Sequence, residues 1–169
     1  RCMQILEPES YAYLEERLES SKGERTRYIN EFIKPIKRRL DETTLKGKYR
    51  IAGRHKAVSS IWNKMQKKDT EFEEVYDLFA VRIIVDVPSE DEKLSCWSVY
   101  SFITDEYQPI PKRIKDWVST PKSNGYESLH TTVGGQKGRF VEVQIRSERM
   151  DEIAEKGLAA HWKYKAVKT

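Results

Sequence analysis

Three stretches of the chain carry side chains of the types, and at the spacings, that could handle phosphate. The first is GRHKAVSSIWNKM, Gly53 to Met65. Lys56, Ser60 and Lys64 recur every fourth residue and would share one helical face, opposite an apolar stripe of Val58, Ile61, Trp62 and Met65. Gly53 and Arg54 sit just before that helix, where backbone N–H groups favour anions. Arg54 could fork onto a phosphate or stack on a base. Spacing alone weighs evenly between this and an ordinary exposed lysine face. No Walker pattern occurs in the sequence, so a P-loop is excluded.

The second stretch holds two carboxylates associated with strands. Asp77 precedes AVRIIVDV, and Glu142 lies inside FVEVQIR. Alternation sends Val141, Val143 and Ile145 one way and Phe140, Glu142, Gln144 and Arg146 the other. A mid-strand glutamate usually faces solvent. If its face lines a cleft, Glu142 could join Asp77 on Mg²⁺, since hard cations take oxygen ligands. The third stretch is RIKD, Arg113 to Asp116, followed by PKSNGYESLH. Lys112, Arg113, Lys115 and Lys122 crowd around one acid, Asp116. That is either a charged surface loop or a clamp for a second phosphate-bearing ligand. Asn124-Gly125 favours a turn.

The elements that must position these residues can be read from periodicity. Glu9 to Ser20 reads as one helix. Glu24 to Asp41 reads as a second, with Tyr28, Ile29, Phe32, Ile33, Ile36 and Leu40 at helical spacing and Pro35 as a possible kink. Lys48 to Ala52 is a short strand ended by Gly53, and Lys56 to Lys67 a third helix. Ala80 to Val87 is a β-branched strand. Asp91 to Thr104 is a helix with Leu94, Trp97, Ser98 and Ser101 inward. After His130, TTVGGQKGRFVEVQIRS reads as a hairpin. A last helix runs from Glu148 to Trp162, with Met150, Ile153, Ala154, Gly157, Leu158 and His161 inward. Strands interleaved with helices imply a mixed α/β or α+β domain.

The 169 residues suffice for one domain with a real core. A charged fraction of 34%, a hydrophobic fraction of 38% and a mean hydropathy of -0.76 describe a highly charged chain. Aromatic residues at 11% argue against disorder. No apolar run is long enough to span a bilayer, so no membrane partner is expected. The net charge of +4 hides an asymmetry: Lys22 to Lys56 is basic, whereas Asp69 to Glu92 is acidic with Arg82 its sole basic residue. Such blocks suit a basic rim around an acidic metal centre. Cys2 and Cys96 give neither a disulfide framework nor a metal spacing and read as idle thiols, in keeping with a reducing, cytoplasmic setting. Three histidines at these spacings do not make a zinc site. His161 reads as a packed histidine.

Six blocks in order, GRHKAVSSIWNKM, DLFAVRI, RIKDW, PKSNGYESLHTTV, VEVQIRS and AEKGLAAHWKYK, resemble the synthetase domain of the Rel/SpoT family of alarmone enzymes. The resemblance implies a nucleotidyltransferase-like mixed sheet flanked by helices, at residues 48–169. Residues 1–47 would be a helical lead-in from a preceding domain, and the parent's hydrolase and regulatory domains would be missing. The implied reaction moves the β,γ-pyrophosphate of ATP to the 3′-hydroxyl of GTP or GDP, with Mg²⁺ as cofactor and no direct nucleic-acid partner.

The resemblance also implies roles. Arg54 would stack on or clasp the ATP adenine, Lys56, Ser60 and Lys64 would hold the ATP phosphates, and Arg82 would support that side. Asp77 would bind Mg²⁺, and Glu142 would bind Mg²⁺ or help deprotonate the 3′-hydroxyl, with Gln144 supporting it. Lys115 and Lys122 would contact phosphates or the guanosine nucleotide, Asn124 would bond guanine, Tyr126 would stack on it, and His130 would sit by the acceptor's phosphates. His161 would border the site. The RIKD form of the loop would accept GTP at least as well as GDP. Ser59 and Gly134-Gly135 depart from the family's more usual aromatic residues. The alternatives are a catalytically silent nucleotide-binding regulatory domain and, ranked lower, an RNA-binding module using the basic helix.

Overall fold

The computed structural model describes residues 8–54 and 79–157. The expected helix at 56–67 and the residues Lys56, Ser60, Lys64, Asp77 and His161 lie outside the described residues.

The described elements, in chain order, are α1 (Pro8–Asp41), β1 (Tyr49–Arg54), β2 (Phe79–Val85), α2 (Glu92–Glu106), β3 (Gln108–Pro109), β4 (Lys115–Asp116), β5 (Leu129–Gly134), β6 (Phe140–Ser147) and α3 (148–157). The two helices expected before residue 42 are one: α1 runs through Gly23 and Pro35 without a break. The sequence signals at Gly23 and Pro35 each cost local stability, but neither forbids a helix whose second half is held by packing. Gly53 does not end β1 but pairs with Val81 inside it.

The strands form one sheet in the order β1-β2-β6-β5-β3, with β4 also pairing to β5. Among the described strands, only the β2–β6 pair is parallel; the other pairings are antiparallel. The expected class, a mixed sheet flanked by helices, is therefore what the chain forms.

Register gives the sheet two unlike faces. Val81, Ile83, Val85, Leu129, Val133, Val141, Val143 and Ile145 alternate onto one face and are at most 1% exposed. Ile29, Phe32, Ile36 and Leu40 of α1 and Cys96, Val99 and Ile103 of α2 pack onto that face in a single cluster. Phe32 stacks on Tyr107 at 4.3 Å, and the Tyr107 hydroxyl donates to the Phe32 carbonyl. Cys96 is idle as expected: burial, then the nearby Glu92 carboxylate, pushes its thiol up to about 12.

Two helix phases differ from expectation. Leu94 is 71% exposed, while the small residues Ser95, Cys96 and Val99 face the sheet. The buried carboxylate of Glu92 sets this phase by accepting from Ser147 and from Arg149 at 2.9 Å. In α3, Ile153 is exposed and Asp151 is buried, because three arginines draw Asp151 inward.

Gly135, where the family resemblance leads one to expect an aromatic, has a packing reason. A Cβ there would collide with the Tyr28 hydroxyl, which donates to the Gln136 carbonyl at 2.6 Å. The ring arrives from α1 instead, against Phe79. Among the described residues, no helix is long and apolar enough to cross a membrane.

Removing the Phe32 ring tests whether α1 belongs to the core. Phe32→Ala is expected to lower stability by about 3–5 kcal/mol in urea titrations. A loss below about 1 kcal/mol would contradict the packing described.

Candidate active site

The polar face of the sheet is built in rows. Backbone register sets Arg54, Ala80, Glu142 and Thr132 side by side, and in the next row Ala52, Arg82, Gln144, His130 and Lys115. Adjacent strands lie about 4.8 Å apart, so Arg54 starts roughly 10 Å from Glu142 at the backbone. The alternation read in FVEVQIR is as expected.

Glu142 is the centre of this face. Its side chain is 17% exposed, with Oε1 3.7 Å from His130 Nδ1 and accepting from Gln144 Nε2 at 3.3 Å. His130 Nε2 lies 3.0 Å from the Tyr126 hydroxyl. That hydroxyl accepts from Arg146 Nη2 at 2.6 Å. Arg146 and His130 therefore meet at one phenol oxygen, which links the loop to the Glu142 centre. Arg113, Lys115, Thr132, His130 and Glu142 line one small pocket.

The stretch PKSNGYESLH is a tight loop beside this centre. Gly125 N–H donates to the Lys122 carbonyl at 2.8 Å, and Lys122 N–H donates to the Tyr126 carbonyl at 3.0 Å. Gly125 has φ +83°. The turn therefore spans three residues, Ser123 to Gly125, rather than Asn124-Gly125 alone, with glycine in the left-handed position. Asn124 Oδ1 accepts from Tyr126 N–H at 3.0 Å. This use of the oxygen leaves the amide NH₂ as the group that an outside acceptor would meet.

Tyr126 is half-buried rather than a bare platform. Its ring meets Trp117 edge-on at 5.7 Å, and Trp117 in turn meets His130 at 4.9 Å. Lys122 Nζ sits 4.0 Å over the Trp117 ring, and Lys115 Nζ is 5.7 Å from it. Cations and rings thus alternate along one edge. Trp117 was not singled out from sequence, although its place after RIKD beside two lysines was a usable signal.

Asp116, the lone acid of the cationic loop, is structural. Its Oδ1 accepts from Val118 N–H at 3.1 Å and Ser119 N–H at 2.9 Å. Partial burial opposes ionisation, but the Ser119 and Val118 hydrogen bonds prevail and hold its pKa below the ordinary value.

Arg82 stands on the polar face but reaches α3: its Nη1 is 3.5 Å from Asp151 Oδ1 and 3.4 Å from Glu155 Oε1. The backbone of Arg54 ends β1 in the Glu142 row. Lys115, Lys122, Asn124, Tyr126, His130, Glu142 and Gln144 come together; Arg82 lies in the row of Gln144 and the backbone of Arg54 in that of Glu142, while Lys56, Ser60, Lys64, Asp77 and His161 are outside the described residues. Among the described residues, no group of three or more acidic, histidine or cysteine side chains could hold a metal.

The mixed sheet with helices on its apolar face is a nucleotidyltransferase-like fold, and a half-buried carboxylate flanked by cations and aromatic rings lies on its polar face. Small alarmone synthetase 2 from Bacillus subtilis shares the fold at a TM-score of 0.63 and 25% identity, covering 86% of this chain and 82% of that one. Small alarmone synthetase 1 from the same organism, solved bound to its product pppGpp, aligns at a TM-score of 0.54 and 25% identity over 93% of this chain and 78% of that one. Residues 53–169 match the family described as the region found in RelA / SpoT proteins, and the chain belongs to that family. A guanosine-3′,5′-bis(diphosphate) 3′-pyrophosphohydrolase of Vibrio cholerae is 42% identical over 96% of this chain, and a GTP pyrophosphokinase of Haemophilus influenzae 41% identical over 97%. This chain spans about a fifth of the length of these curated relatives, 22% and 21%.

Asp116 gives a pH test. Its folded pKa is depressed, so its contribution is complete above the ordinary carboxylate value and is lost as pH falls through the lowered one. Asp116→Ala should cost about 1 kcal/mol at neutral pH. In thermal melts, the gap to wild type should narrow as pH falls below the ordinary carboxylate value. A gap independent of pH would contradict this role.

Proposed function

We propose that this chain is a (p)ppGpp synthetase domain, transferring the β,γ-pyrophosphate of ATP to the 3′-hydroxyl of GTP or GDP and releasing AMP. The observation that carries the reading is the position of Glu142. Its carboxylate is half-buried beside His130 and Gln144, and His130 in turn meets the Tyr126 hydroxyl of the loop that also carries Asn124 and Lys122. Family membership and the likeness to synthetase structures support it. Residues 48–169 form the synthetase unit in this reading, and residues 1–47 lead in from a preceding domain of a longer parent. A cytoplasmic setting, where both nucleotides are plentiful, goes with it.

In this mechanism the guanine lies against Tyr126, with the Asn124 amide donating to its acceptor edge. Lys115 and Lys122 neutralise the acceptor's phosphates, with His130 beside them. Arg54, Lys56, Ser60 and Lys64 hold ATP, with Arg82 supporting from the next row. Glu142, steadied by Gln144, takes the 3′-hydroxyl proton. The 3′-oxygen then bonds to the β-phosphorus as the bond from that phosphorus to the bridging oxygen breaks, and AMP leaves with that oxygen. Positioning and charge neutralisation supply most of the rate. The hard oxygen donor that Mg²⁺ prefers is present in Glu142, with Asp77 as its partner; the ion would offset phosphate charge and polarise the transferred group. His161 borders the site.

Incubation with ATP, GDP or GTP and Mg²⁺, resolved by anion exchange, should yield AMP and a 3′-pyrophosphorylated guanosine nucleotide in equal amounts. Absence of both, where a known synthetase works, would overturn the reading; binding of both nucleotides without products would favour a silent regulatory domain. Glu142→Gln should lower turnover at least about 100-fold with nucleotide binding retained. Near-normal turnover would contradict the role of Glu142.

A further inference from the structure

Arg146 is a charged residue that the mechanism above does not use, and it is only 4% exposed. Its guanidinium makes four hydrogen bonds. Nε donates to Ser128 Oγ at 3.3 Å, Nη1 to Asp151 Oδ1 at 3.2 Å, and Nη2 to Gln144 Oε1 at 3.2 Å and to the Tyr126 hydroxyl at 2.6 Å. These partners come from the loop after β4, the approach to β5, β6 itself and α3. Two of them, Tyr126 and Gln144, are residues assigned above to the guanosine nucleotide and to the support of Glu142.

For the core alone this arrangement is a poor choice. A buried ion pair is often no more stabilising than apolar side chains of the same volume. The planar fork of arginine can instead fix several partners at once in set directions, which a lysine ammonium cannot do. Tyr126 is the partner that most needs fixing, since it sits one residue beyond a glycine turn in a largely exposed loop. The next residue is held in the same way: Arg149 Nη1 lies 2.9 Å from Glu127 Oε2. Two arginines three residues apart thus grip two consecutive loop residues.

We propose that Arg146, with Asp151 as its counter-charge, is a positioning residue that sets the Tyr126 ring before the guanosine nucleotide arrives. The proposal rests on the functional reading above for its consequence in catalysis. Its structural half, the presetting of the loop, stands without that reading. Arg146 itself does not meet the nucleotide; it acts through the Tyr126 hydroxyl and Gln144.

The test combines steady-state kinetics with amide hydrogen exchange on wild type, Arg146→Lys, Tyr126→Phe and the double variant. Arg146→Lys should raise KM for GDP about tenfold, the scale of one charge-assisted hydrogen bond, while KM for ATP stays within about twofold. Tyr126→Phe should raise KM for GDP similarly, and the double variant should be little worse than either single one. Amides of residues 122–128 should exchange about tenfold faster in each single variant. Equal rises in both KM values, additive effects in the double variant, or unchanged loop exchange would overturn the proposal. If wild type makes no product, the functional reading fails, and the exchange data alone decide whether Arg146 presets the loop. If Arg146→Lys does not fold, Tyr126→Phe removes the same bond without disturbing the buried charge, and unchanged exchange there would be the overturning result.

Discussion

The parallel, in-register pairing of β2 with β6 is the constraint on which the rest of the structure depends. It sets Ala80 beside Glu142 and Arg82 beside Gln144. A slip of one residue would exchange the faces, burying Glu142 and Gln144 under the helices and turning Val141 and Val143 outward. The apolar face prevents that slip, because Val81, Ile83, Val141, Val143 and Ile145 are wholly enclosed by α1 and α2. The hydrophobic effect thus acts on one face of the sheet to fix the placement of charge on the other.

Charge on the polar face is organised rather than merely abundant. Asp151 lies within 3.5 Å of side-chain nitrogens from Arg50, Arg82 and Arg146. One carboxylate from α3 thereby gathers cations from β1, β2 and β6 and ties the last described helix to the sheet. The pair with Arg146 is the most enclosed of the three and the least screened by solvent. The pair of Arg50 with Glu148 is exposed and contributes little to stability, though the Arg50 hydrogen bond holds Glu148 below its usual range.

Much of this was legible in the chain. The alternation in FVEVQIR gave the two faces of β6, and the spacing of Ile29, Phe32, Ile36 and Leu40 gave the buried side of α1. The rest was obscured for identifiable reasons. The phases of α2 and α3 are set by buried carboxylates, Glu92 and Asp151, and acids on helices normally face water. Strands β3 and β4 are two residues each, too short for any period to register. The parallel relation of β2 to β6 depends on long-range pairing that alternation does not encode. Arg146 was legible as a member of the Glu142 face, but its burial depends on Ser128, Tyr126 and Asp151, which are brought together only by folding.

If Glu142 takes the 3′-hydroxyl proton, the polar face of the sheet must hold the guanosine nucleotide with its 3′-oxygen toward that carboxylate. A crystal structure of the chain with GDP and a non-transferable ATP analogue tests it most directly. Guanine is expected against the Tyr126 ring, with the Asn124 amide on its acceptor edge and the 3′-oxygen as the ribose atom closest to Glu142. Guanine bound away from Tyr126, or a ribose whose 3′-oxygen points away from Glu142, would contradict it.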